Sequence, residues 1–323
     1  MSSSSASPPA RITHVGTLAR ANLLPGGQGK VLAACSGATY LLTDEAQLFW
    51  LVADGGPLHR RALRVSSALA RPRDGAPFRV NGQSLTIEPG LTYDVHAPVL
   101  WQVPAINPGA LVEVPRILTR VQDLFSRLDL SAAKGFGSFI PEILAFSRGA
   151  ATGPPPESED PVLAFARPLV MDVAGACREN QPSRILRNTA ALIGLGAGLT
   201  PSGDDFAGGV FFAIRTLQDA YRLPDSSDNL FNLAPYEAQT NLISFTLLQD
   251  LAQGYAVSPL HRLLTGILSA ETFDFVQRSF ARLTRLGHST GWDLLAGVLT
   301  GLLVTGADRH PSSASQGLHS LRT

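Results

Sequence analysis

The stretch Gly194-Leu-Gly-Ala-Gly-Leu-Thr-Pro-Ser-Gly-Asp-Asp-Phe-Ala-Gly-Gly209 constrains this chain more than any other. Three glycines in five residues must end the helix expected over 184–193, because they open backbone conformations closed to other residues. Thr-Pro-Ser-Gly then restarts a helix, with Ser202 as the expected N-cap and Asp205 in the capping-box position. A glycine loop that feeds a helix N-terminus is an arrangement suited to an anion.

The device recurs. Thr200-Pro-Ser-Gly-Asp-Asp-Phe-Ala-Gly-Gly-Val210 aligns with His288-Ser-Thr-Gly-Trp-Asp-Leu-Leu-Ala-Gly-Val298. Ser202 matches Thr290, Gly203 matches Gly291, Asp205 matches Asp293 and Gly209 matches Gly297. Capped helices alone would account for the hydroxyls and the aspartates. They do not account for Gly209 and Gly297, since a glycine inside a helix costs roughly 0.8–1 kcal/mol against alanine. Both positions predict a close helix approach, which would bring the two N-termini to one pocket.

The rest of the chain predicts an α+β protein, with a β-barrel- or sandwich-like N-terminal part followed by a larger, mostly helical part. Residues 1–10 read as a disordered tail, 11–108 as β-rich, 109–306 as helical and 307–323 as a flexible tail. In the β-rich part, 30–35 and 39–43 flank a turn at Ser36-Gly37, and 48–52 is a short apolar strand. Asn81-Gly82 between 78–80 and 84–87 reads as a type I′ hairpin. Strands at 91–95 and 99–103 bring the expected number to six to eight. Helices are expected over 112–130, 139–146, 161–179, 184–193, 203–221, 236–251, 259–268, 272–286 and 290–304. Stretches 149–161 and 225–232 read as a linker and a loop.

Composition narrows the class of function. Lys+Arg and Asp+Glu are both 26, giving zero net charge, so neither nucleic acid nor an anionic membrane surface is indicated. Near-neutrality leaves homo-oligomers open. Apolar residues make up 45% and charged ones only 16%, as in a well-buried globular protein. Cys35 and Cys177 are far apart and outside any CxxC, which fits a reducing, cytoplasmic compartment. No apolar run is long enough to span a membrane.

Thr200, Ser202 and the amides around Gly203 are candidates for holding phosphate or carboxylate without a lysine. Neighbouring helix residues point roughly 100° apart, so Asp205 can cap while Asp204 stays free for a metal, a substrate amide or a basic partner. His288 occupies the position of Thr200 in the other copy and could hydrogen-bond a carbonyl. Trp292 could wall the pocket or fill core. Thr240 and Ser244, four apart, could present both hydroxyls to one side, and Lys134 lies in a glycine-rich loop. There is no Walker loop, no nucleophile elbow, no His-x-x-x-His pair and no carboxylate pair in a recognisable context.

Gly194 to Phe206 and Gly287-His-Ser-Thr-Gly-Trp-Asp293 together resemble the hallmark motifs of the bacterial family named for the AllH subunit of oxamate carbamoyltransferase. The resemblance is strongest over about 112–304. It implies a role in anaerobic allantoin breakdown, in an enzyme interconverting oxalurate plus phosphate with oxamate plus carbamoyl phosphate. It also implies a multi-subunit assembly with an FdrA-like chain and a further component. Under it, Gly196, Gly198, Thr200, Ser202, Gly203 and Asp205 would bind the anionic substrate, with Ser289, Gly291, Asp293 and Lys134. His288, Thr290 and Asp204 would be catalytic: donors to the carbamoyl oxygen, and an acceptor from its amide. No cofactor is implied, and a metal requirement is left open. Neither motif contains an arginine, so positive charge for phosphate would come from Lys134, Arg178, Arg184 or a partner. Alternatives are a non-catalytic scaffold or anion-sensing subunit, and a metal-dependent hydrolase using Asp204, Asp205 and Asp293.

Overall fold

A computed structural model describes residues 10–150, 160–222 and 231–306. Residues 1–9 and 307–323 of the expected tails, most of the expected 149–161 linker and most of the 225–232 loop lie outside these residues, while Ala10, expected in the tail, begins the first strand.

The N-terminal part is a barrel. Its strands are β1 (Ala10–Gly16), β2 (Gln28–Ala34), β3 (Thr39–Thr43), β4 (Leu48–Val52), β5 (Ala62–Val65), β6 (Pro77–Asn81), β7 (Ser84–Ile87), β8 (Leu91–Asp94) and β9 (Val99–Trp101), with a short helix α1 (Thr17–Ala21) after β1. The order is β5-β4-β3-β2-β6-β7-β8-β1, and β1 pairs back onto β5, which closes eight strands. β9 adds to β1 beyond the residues that pair with β8. Closure leaves few open edges.

β4 explains how the barrel meets the rest. All five of its residues are buried. Alternation turns Phe49 and Leu51 into the barrel core with Leu41, Leu63 and Phe78. It turns Trp50 and Val52 the other way, to a small cluster with Ala38, Ala62 and Leu247 of the helical part. At the 81–84 hairpin, positive φ falls on Gly82 alone (59°), and Asn81 pairs with Ser84 as the last rung. The loop is therefore Gly82-Gln83, not the expected Asn81-Gly82 type I′ pair, because Asn81 is used by the ladder.

The helices are α2 (Ile117–Phe125), α3 (Ile140–Ser147), α4 (Pro161–Arg178), α5 (Pro182–Ala190), α6 (Ser202–Tyr221), α7 (Leu242–Ala252), α8 (Ser258–Leu268), α9 (Phe273–Leu283) and α10 (Thr290–Gly301). A 3₁₀ turn, Gly135–Phe139, precedes α3. α7 starts later than the periodicity predicts: Ala234–Gln239 is a separate 3₁₀ turn, and Asn241 caps the new helix by accepting from the Ser244 amide at 3.1 Å. No helix among the described residues is long and apolar enough to cross a membrane.

α6 and α10 cross at the centre of the helical core. A Cβ on Gly209 would collide with the Leu294 carbonyl and lie 3.0 Å from the Gly297 Cα. A Cβ on Gly297 would collide with the Phe206 carbonyl and lie 3.0 Å from the Gly209 Cα. The two clashes are equivalent under the sequence alignment, so the repeat is a repeat in space as well. The N-caps are Pro201 and Ser289, and neither side chain caps. Ser202 and Thr290 are thus the first helical residues rather than caps, which leaves both hydroxyls available.

The barrel is locked onto the helices through Asp250 of α7, which is fully buried. Arg60 and Arg61, just before β5, both bind it: Arg61 donates from Nε at 2.7 Å and from Nη2 at 3.1 Å, and Arg60 donates from Nη2. Arg60 also reaches Gln253 at 2.9 Å and covers the Tyr255 ring. Burial alone would raise the Asp250 pKa, but the two guanidiniums outweigh it and hold it low. Leu58 and Ser258 add reciprocal bonds of 3.1 and 2.7 Å.

Alanine is the better helix former, yet Gly209→Ala is expected to destabilise by about 1–3 kcal/mol, since overpacking outweighs propensity where the obstacle is backbone. A lower Tm in thermal denaturation is the expected reading. An unchanged or higher Tm would mean that the crossing is looser than described.

Candidate functional site: two turns around one cavity

The loops that enter α6 and α10 meet. Thr200 Oγ1 lies 3.2 Å from Thr290 Oγ1, and Ser202 Oγ lies 3.4 Å from Ser289 Oγ. Beneath them are two buried carboxylates. Asp205 faces the hydroxyls of Thr200 and Thr290, and Asp293 faces those of Ser202 and Ser289. Each aspartate thus receives one hydroxyl from its own turn and one from the other. Asp293 also accepts from the Phe136 amide at 2.6 Å. Oδ2 of each aspartate is buried with no hydrogen-bond partner among the described residues.

The meeting point opens on a cavity of about 790 Å³ between the barrel and the helices. Ala197–Thr200, Asp205 and Arg285–Thr290 line one side. The β2–β3 turn, Tyr40, Trp50 and His59 line the other, with α7 residues and Tyr255 between. The amides that could serve an anion differ from those expected. Gly203 and Gly291 donate to the Leu195 and Leu286 carbonyls, and Asp204, Asp205, Trp292 and Asp293 donate within their helix starts. The amides of 197–200 and 287–290 have no such bond among the described residues. The candidate donors are therefore in the loops, where Gly198 has a positive φ of 103°.

The other expected residues are distributed as follows. Gly198, Thr200, Asp205, His288, Ser289 and Thr290 line the cavity. Gly196, Ser202, Gly203, Gly291 and Asp293 stand behind that lining and shape it. A Cβ on Gly203 or Gly291 would collide with the Leu192 or Leu283 carbonyl. Asp204 is placed otherwise. Its Oδ1 accepts from the Gly194 amide at 2.6 Å, and its Oδ2 accepts from Thr240 and from Ser244 at 2.5 Å. Those bonds tie the glycine loop to α7 and use both oxygens. They also bring Thr240 and Ser244 together, as their spacing predicts. Lys134 is exposed and outside the cavity lining, although the next residues of its loop cover Asp293. Trp292 packs on Phe280 and Gly137 and so fills core.

Arg285 is not among the residues expected from sequence. It is exposed, lines the cavity, and makes no ion pair among the described residues. Arg184 pairs with Glu179, and Arg178 bonds the Phe146 carbonyl. The sequence signal for Arg285 was its position two residues before the second motif. The carboxylate pair had a signal too, in the matched Asp205 and Asp293, but from sequence each also reads as a capping-box residue, a role the structure does not give it. Among the described residues no group of three or more His, Cys, Asp or Glu side chains is placed to hold a metal ion. Asp204, Asp205 and Asp293 therefore do not assemble as the ligand set that a metal-dependent hydrolase would need.

Burial and the charge of Asp293 push the Asp205 pKa well above the carboxylate range, against the pull of the Thr200 and Thr290 hydroxyls. Burial raises Asp293 to about 6, opposed by Ser289, Ser202 and the amides of Phe136 and Gly137. Two interacting carboxylates in a dry site cannot both ionise easily, so at neutral pH the pair keeps a proton. Across the cavity, burial lowers His59 to about 4, so its ring is neutral.

Residues 192–302 match the model of a family described as oxamate carbamoyltransferase subunit AllH. Over this stretch the chain is AllH-like. The matched residues run from just after α5 through α10, about a third of the chain, and contain both turns, both aspartates and Arg285. No curated protein and no solved structure matches the chain. The AllH description names one subunit, which implies an assembly of several chains.

A pH titration of stability tests the pair. A carboxyl whose folded pKa is raised favours the folded state while it is protonated, and that contribution is lost as pH rises through the folded value. The rise of Asp293 from 3.8 to about 6 corresponds to about 3 kcal/mol. Asp293→Asn removes it. The unfolding free energy of wild type minus variant should therefore fall by up to about 3 kcal/mol between pH 4 and pH 8 in urea denaturation. A flat difference would show that Asp293 titrates normally.

Proposed function

We propose that this chain is the substrate-holding subunit of an oxamate carbamoyltransferase-like enzyme and binds a small anion at the paired turns. The observation that carries the reading is the convergence of the two loops on one cavity, which Thr200, Ser289, Thr290 and Arg285 line. A carboxylate or phosphate would take the loop amides of 197–200 and 287–290 and the Arg285 guanidinium. His288 would donate to a carbamoyl oxygen as charge develops there, and Thr200 and Thr290 would join it while Asp205 carries a proton and does not need theirs.

In the transfer, the oxamate nitrogen would bond to the carbamoyl carbon while the bond from that carbon to the phosphate oxygen breaks. The proton released from nitrogen needs an acceptor, and the departing phosphate benefits from a donor. A carboxylate pair holding one proton can serve as both, with Asp205 on the cavity side and Asp293 behind it. Asp204 has a structural part in this scheme, as the tie between the glycine loop and α7. An FdrA-like subunit and a further chain would complete the assembly, and allantoin breakdown would be its setting.

The test is a steady-state assay of the reconstituted complex with carbamoyl phosphate and oxamate. Arg285→Ala should raise the KM of an anionic substrate roughly ten- to hundredfold, the worth of one charge-assisted hydrogen bond, with the Tm unchanged. Calorimetry on the full chain alone should show carbamoyl phosphate or oxamate binding that weakens in the same variant. Binding without any effect of Arg285→Ala or Thr200→Val on turnover would instead support an anion-sensing subunit.

A further inference from the structure

Besides the paired turns, the cavity lining includes apolar faces: Tyr40, Trp50 and Val52 on the barrel, and Leu247, Leu251 and Tyr255 on the helical side. Trp50 is held in place by stacking on His59, with ring centroids 4.9 Å apart, and by Tyr40 at 5.7 Å. The wall is uncharged, because burial keeps His59 neutral and raises the Tyr40 pKa. The volume of about 790 Å³ falls within the roughly 300–1,000 Å³ of sites for drug-sized ligands. Oxamate or carbamoyl phosphate at the paired turns would fill only part of it, since each displaces no more than a few waters of about 30 Å³. Apolar walls beside a set of polar groups suit an amphiphilic ligand, in which the polar groups fix orientation and the walls supply area.

We infer that the cavity takes an anionic amide or ureido head that carries a planar apolar substituent, with the head at the paired turns and the substituent between Trp50 and α7. The inference rests on the anion site proposed above and assigns the substrate class that the barrel wall selects. Trp50 and Leu247 are then specificity residues, remote from the reacting atoms.

Oxamate and N-phenyl oxamate separate the two readings, because they share the head and differ in the ring. Cys35 provides the readout: it lines the cavity and is partly exposed, whereas Cys177 is fully buried. Protection of Cys35 from alkylation by iodoacetamide therefore reports occupancy in the full chain, with calorimetry as the second measure. N-phenyl oxamate should bind at least tenfold more tightly than oxamate. Trp50→Leu should abolish most of that gain and leave oxamate affinity within about twofold. Leu247→Trp, which fills the space from the helical side and leaves the barrel untouched, should exclude the phenyl compound alone. Equal affinities, or a gain that survives both variants, would overturn the inference while leaving the anion site standing. Binding of neither compound would overturn both.

Discussion

Everything at the functional end of the molecule depends on how closely α6 and α10 approach each other. Gly209 and Gly297 leave no side chain between the two backbones, and each faces a carbonyl of the opposite helix. That contact sets the separation and angle of the helices, and so places the two entering turns within hydroxyl contact of each other. A larger residue at either position would push the helices apart, and the hydroxyl contacts at 3.2 and 3.4 Å could not both persist. The cost of two helix-interior glycines, roughly 0.8–1 kcal/mol each, is offset by packing among the many buried residues around the crossing.

The pair of carboxylates is a second result of the same geometry. Asp205 and Asp293 are equivalent positions brought together by the crossing, and among the described residues neither forms an ion pair with a cation. The chain provides hydroxyls and amides instead, which moderate the mutual repulsion without neutralising it. By contrast, Asp250 carries two arginines and is held ionised. The two environments separate an ionised carboxylate that joins barrel to helices from a pair whose pKa values are raised, as the proposed proton transfer would require.

Much of this was legible in the sequence, for reasons that can be named. The barrel strands and most helices follow from period-2 and period-3.6 patterns, and the convergence of the turns follows from the aligned glycines. The misread details all involve a competing role. Asn81 belongs to the ladder and not to the turn. Ser202 and Thr290 begin their helices and do not cap them. Asp204, which looked free, is used by Gly194, Thr240 and Ser244, two segments distant in sequence that only the fold brings to it. The contribution of Tyr40, Trp50 and His59 to the cavity could not be read at all, because no local pattern records which face of a barrel another layer will cover.

The Asp250 hub has a consequence for access. With two guanidiniums and a reciprocal backbone-to-serine pair riveting barrel to helices, the halves have no inexpensive hinge about which to gape. Arg285 and His288 are exposed and line the cavity. Under the proposed function an entering anion would meet the Arg285 charge before it met the interior walls.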